Sequence, residues 1–91
     1  MIGDKVYSNE FEHAVMAMFR PPALQFSRSL RRCLDCDPDF LNRHEMEVLP
    51  ELKRFLNEAG VPLDGRNAND EMRHVIREVV IRLRSYEKGR E

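Results

Sequence analysis

From Asn69 to Lys88 the chain reads NDEMRHVIREVVIRLRSYEK. Met72, Val75, Ile76, Val79, Val80, Leu83 and Tyr86 fall at i, i+3, i+4, i+7, i+8, i+11 and i+14. That is the spacing of one apolar stripe on a helix, sustained for about five turns. At about 1.5 Å per residue such a helix is about 30 Å long, the width of a small domain, so its final turns are expected to project past shorter neighbours. Asn69 or Asp70 is the expected N-cap. A stripe this long needs a cover, and the remaining segments are short enough to be that cover.

Upstream, Asn9-Glu10-Phe11-Glu12 has the form of a capping box, and predicts a helix from Glu10 to Phe19. It stops there because Pro21 and Pro22 disfavour helical geometry before them. Within it, Ala14 to Phe19 is apolar at every position, so it must be covered on more than one side, by this chain or by a second one. Pro21 or Pro22 suits the first position of a second helix, whose face is Ala23, Phe26, Leu30, Cys33 and Leu34. Asp35 to Asp39, three acids and a proline, reads as a turn. Asn42-Arg43-His44-Glu45 is a second candidate capping box. The preferred third element runs from about residue 49 to 59 with Pro50 in its first turn, Leu49, Leu52, Phe55, Leu56 and Ala59 on one face, and Gly60 just past its end.

No period-2 alternation signals a strand. The expected fold is all-α: a small bundle of four helices, or five with a short one near residue 41, and a long C-terminal helix. Leu52, Phe55, Leu56, Val75, Val79 and Leu83 are the expected core, joined by Phe26, Leu30 and part of the first helix. Residues 1–91 read as a single helical domain behind a loosely ordered lead-in over 1–8. A chain this short buries about 60–65% of its unfolded surface, so its stability is small.

Fifteen Lys and Arg against sixteen Asp and Glu leave a net charge of −1, so any attraction to nucleic acid or membrane must come from local patches. No run reaches the ~18 apolar residues that cross a bilayer. The N-terminus shows no basic region followed by an apolar run, and two cysteines make no disulfide framework; the expected compartment is the cytoplasm.

Cys33 and Cys36 form a C-x-x-C at a helix end beside Asp35 and Asp37. A zinc site needs about four ligands, and no second pair or H-x-x-x-H supplies them. A redox pair sits at a helix N-terminus, where the dipole favours the thiolate; this one sits at the other end. His13, His44 and His74 have no nucleophile at a telling spacing. No catalytic residue, metal site or cofactor is expected.

The arginines say more. Arg73, Arg77, Arg84 and Lys88 share one side of the last helix, with Ile81 beside them and opposite the apolar stripe. Arg73 and Arg77 are like charges at i, i+4, which calls for neutralisation by a partner or by acids of this chain, Asp35, Asp37 and Asp39 being the obvious ones. Glu78 is placed to pair with Arg82. Arg28, Arg31 and Arg32 form a second basic group. Phe55 to Val61 resembles the entry to the turn of helix-turn-helix DNA-binding proteins. About eight residues then separate Gly60 from the next helix, where three or four are expected, and Pro62 and Asp64 stand where a reading helix would begin.

Two functions follow from these features. The first is a small non-enzymatic protein–protein interaction module (an adaptor, regulator or inhibitor) that also self-associates as a homo-oligomer. It would use Val15, Met16, Met18 and Phe19 for apolar contact, and Arg73, Arg77, Ile81 and Arg84 for a polar-rimmed one. The alternative is a nucleic-acid-binding transcriptional regulator using Arg28, Arg31, Arg32, Arg73, Arg77 and Arg84, which predicts binding that falls steeply with salt.

Overall fold

The structure, a computed structural model, describes residues 9–63 and 65–88. Five helices follow one another: α1 (Asn9–Ala17), α2 (Ala23–Cys36), α3 (Phe40–Arg43), α4 (Glu45–Glu58) and α5 (Ala68–Lys88). No strand occurs among the described residues. The expected all-α bundle with a long last helix is what the chain forms, in its five-helix version. The expected lead-in over 1–8 lies outside the described residues.

α5 packs against α1, α2 and α4. Its stripe does the covering: Met72, Val75, Ile76, Val79, Val80 and Leu83 are all buried, Val75 completely. Ion pairs mark how the neighbours run. Asp35 meets Arg84 while Arg31, one turn earlier on α2, meets Glu87, so α2 runs antiparallel to α5. Glu12 of α1 meets Arg82, and Phe19 just beyond α1 meets Tyr86, so these two advance in the same sense. The last turn of α5 is therefore held by α1 and α2 and does not project past them. Tyr86, the seventh member of the sequence stripe, departs from the other six: it is 58% exposed.

From α4 the core takes Val48, Leu49, Leu52 and Leu56, and from α2 Ala23 and Leu30. Phe26 and Phe55 stack at 5.2 Å between centroids on the edge of this core, both half-buried. Ala59, expected on the buried face, is exposed. Ser27 is the buried polar side chain among the described residues, and its hydroxyl donates to the carbonyl of Met18 at 2.9 Å. Beside it, Leu30, Leu52, Val75 and Val79 line an internal void of about 10 Å³, at the limit for a single water and far below the size of any organic ligand.

The end of α1 and the starts of α4 and α5 differ from expectation; α5 begins at Ala68, so Asn69 and Asp70 lie inside its first turn and do not cap it. α1 ends at Ala17 because the chain tightens there: Met18, Phe19 and Arg20 donate to carbonyls three residues back. α4 begins at Glu45, so Pro50 sits in its second turn and removes the N–H that Met46 would receive. Burial of Val48 and Leu49 on that same stretch compensates. Asn42 does not cap α4; its amide donates to Asp39, and Glu45 turns to α5.

The end of α4 matches expectation closely. Gly60 has φ +79°, the N–H of Val61 donates to Leu56, and that of Gly60 donates to Asn57. These are the two bonds of a Schellman cap, with Val61 folded onto the core. A Cβ at Gly60 would meet nothing within 4 Å, so the whole cost of a side chain there is the left-handed backbone. Gly60→Ala should lower stability by about 1–2 kcal/mol in denaturant unfolding, and Gly65→Ala, whose φ lies outside that region, should not. Between Gly60 and α5 the chain runs through Leu63, which is buried, and a turn at 65–67. That connection is too long for a helix-turn-helix, as the spacing implied.

Candidate functional site

α5 exposes a second side, opposite its buried stripe. Arg77, Ile81 and Arg84 lie one above another there, as i, i+4 and i+7 must. The C-terminal half of α2 and the turn after it supply the facing wall. The result is an open groove lined by Leu34, Asp35, Pro38, Arg77, Val80, Ile81 and Arg84. Its apolar centre is Ile81, 57% exposed, with Leu34, Pro38 and the edge of Val80. Its rim is charged.

The rim charges have different partners. Arg84 donates to Asp35 Oδ1 through Nε at 3.0 Å and through Nη2 at 2.6 Å, so the acidic run reaches Arg84 and not the Arg73 and Arg77 it was expected to neutralise. Arg73 is held by Glu45 of α4, with Asp70 at 3.8 Å, so it is not the uncompensated charge its spacing suggested. Arg77 is different: it has no ion pair or hydrogen bond among the described residues, and it is exposed. Within the Arg73–Arg77–Arg84 side of α5 it is the charge left over.

A second apolar patch lies on the other flank of α5. Tyr86 packs edge-on against Phe19 at 5.6 Å, and Met16, one turn before Phe19, is 49% exposed. Glu12 and Arg82 border it, with Arg82 Nη1 on Glu12 at 3.1 Å and Nε on Glu78 at 2.9 Å. Hydrogen bonds that Arg82 donates to Glu12 first, then to Glu78, raise the pKa of its guanidinium above the ordinary value. Of the four apolar residues expected at a partner surface, only Met16 and Phe19 reach it. Val15 is fully buried and Met18 is 2% exposed. Their contact surface is already used by this chain, in the core beside α5.

The basic group on α2 is largely internal as well. Arg31 meets Glu87 at 2.6 Å and Asp35 at 3.7 Å, and Arg28 meets Glu87 at 3.7 Å. Arg32 is exposed, with no ion pair among the described residues. Leu34, Pro38, Val80 and Tyr86 were not singled out as surface from the sequence. Val80 and Tyr86 carry the period of the buried stripe, and only the position of α2 and α1 leaves them at its margins. Leu34 and Pro38 flank the acidic turn, a signal that could have placed them beside the α5 arginines.

The remaining candidates stay apart. Cys33 is half-buried, Cys36 is exposed on the last turn of α2, and both are free thiols. His44 lies 3.1 Å from Glu47 and stacks on Phe40. His13 and His74 are exposed. Among the described residues no group of three or more His, Cys, Asp or Glu is placed to hold a metal ion, and no helix is long and apolar enough to cross a membrane. Comparison with protein-family models, with curated proteins and with solved structures found no match.

Proposed function

We propose that this chain is a small non-enzymatic helical module that works by binding other proteins, as an adaptor, regulator or inhibitor, and that it pairs with a second copy of itself. The observation that carries this is α5's division of labour. One side of the helix is consumed by the core, while the opposite side presents an apolar centre with a charged rim, the composition of a protein-binding surface. The Met16–Phe19–Tyr86 patch is the face we assign to self-association. It is apolar and carries matched charges at its border, so two copies can meet there without like charges facing each other. We keep the cytoplasm as its compartment, on the two cysteines that make no disulfide framework.

The nucleic-acid reading finds less support. Of its six arginines, Arg28, Arg31, Arg73 and Arg84 are each already beside a carboxylate of this chain. Each such pairing leaves less charge to attract phosphate.

Sedimentation over a wide concentration range tests the self-association. The weight-average mass should rise above the 10.8 kDa of one chain as concentration increases. Tyr86→Glu should hold it at the monomer value, while melting at a temperature close to the parent's because Tyr86 is mostly exposed. A mass that stays at one chain at every concentration contradicts the proposal.

A further inference from the structure

We infer that the groove between α2 and α5 receives an acidic amphipathic helix of a partner protein, anchored on Ile81 and held by Arg77; this rests on the interaction-module reading above and names its partner's chemistry. Three observations carry it. The first is charge. Arg77 stands on a helix side that also bears Arg73 one turn before it and Arg84 two turns after, and it alone of the three has no carboxylate beside it among the described residues. Lys88 continues the same side. Against these cations the groove lining offers one acid, Asp35, already engaged by Arg84. An incoming carboxylate at Arg77 pairs the guanidinium of this side that has none among the described residues, and displaces no existing pair.

The second observation is shape. From Arg77 to Arg84 the groove extends about 10 Å along α5, about two helical turns. Leu34 and Pro38 form one wall, Ile81 and the edge of Val80 the other. A ridge of apolar side chains at i, i+3 or i+4, and i+7 fits between two antiparallel helices in this way. The third is the poor fit of a second copy. A twofold axis through Ile81 would set Arg77 of one protomer beside the Arg84–Asp35 pair of its partner, whose carboxylate is already engaged, so a second copy brings Arg77 no free acid. An acidic helix brings one.

Heteronuclear NMR titration of the full chain tests this. The probes are a three-turn amphipathic peptide with leucine on one face and glutamate on the others, and the same peptide with lysine for glutamate. A short random DNA duplex is the third probe. The acidic peptide should shift the amides of Leu34, Val80 and Ile81 and the Arg77 Nε resonance, with the lysine peptide and the duplex leaving them unmoved. Arg77→Glu and Ile81→Glu should each weaken the acidic peptide about tenfold or more, with the spectrum otherwise that of a folded protein. Raising salt should weaken binding to the parent and, by screening the new repulsion, strengthen the residual binding of Arg77→Glu. Equal response to both peptides, shifts centred on Met16 and Tyr86, stronger response to the duplex, or no response at saturating acidic peptide would each overturn the inference. Loss of self-association in sedimentation would leave it standing, since that contact lies on the other flank of α5.

Discussion

Leu52→Ala should lower the unfolding free energy by about 3 kcal/mol, within the 2–5 kcal/mol range for emptying a fully buried leucine site. Leu52 has no solvent exposure, and it lines a small void in the core, so the deletion enlarges a space the backbone has not already closed. For a chain of this length total stability is about 5–14 kcal/mol, so the loss is a large fraction of it. The midpoint of thermal unfolding should fall by roughly 12 °C or more. Lys53→Ala, next along the chain and exposed, should change stability by less than about 0.5 kcal/mol. Equal effects at the two positions would mean that α4 does not present Leu52 to α5.

Val79→Asp should leave no cooperative unfolding transition at all. Val79 is 3% exposed in the middle of the α5 stripe, with Val75 and Leu83 one turn away on each side. Among the described residues no cation is part of the core, so an aspartate there is either charged without a partner or protonated at the cost of its pKa. Either penalty is several kcal/mol, comparable to the whole stability. Ile81→Asp, two residues on, should fold and melt within about 1 kcal/mol of the parent, because Ile81 is 57% exposed. Circular dichroism melts of the pair read out the division between the two sides of one helix. Similar melts for both would remove the distinction on which the groove depends.

How far the fold was legible from the residues alone follows from the kind of signal each element carries. The α5 stripe was readable because its period is intrinsic to one helix and needs no knowledge of neighbours. Gly60 was readable for a similar reason: a left-handed residue after a helix is a local requirement. The start of α4 was not. The rule that places proline in a first turn is a local preference, and burial of Val48 and Leu49 overrode it through contacts far away in sequence. α1 was misjudged for the opposite reason. A segment apolar on every side carries no periodicity, so nothing local separates Met16, which stays out, from Val15 and Met18, which go in.

The charges divide in the same way. Glu78 with Arg82 is an i, i+4 pair and could be foreseen. Arg84 with Asp35 was not foreseen: the acidic turn was matched to Arg73 and Arg77, and the antiparallel run of α2 on α5 brings Asp35 to Arg84 instead. Arg73 with Glu45 could not be foreseen, since 28 residues separate them and only the packing of α4 on α5 brings them together. Arg77 became distinctive only once the partners of its neighbours were known. The groove was therefore half visible: Arg77, Ile81 and Arg84 share a helix side by spacing, while Leu34 and Pro38 join them only in three dimensions.

Amide hydrogen exchange along α5 tests most directly that one rigid helix both builds the core and displays the groove. The account predicts that the amides from Met72 to Leu83 are among the slowest in the chain and open only with global unfolding. The amides of Arg77 and Ile81 should be as protected as those of Val75 and Val79, although their side chains face water. Faster exchange confined to Arg77 through Arg84, by local opening well below the global free energy, would contradict it.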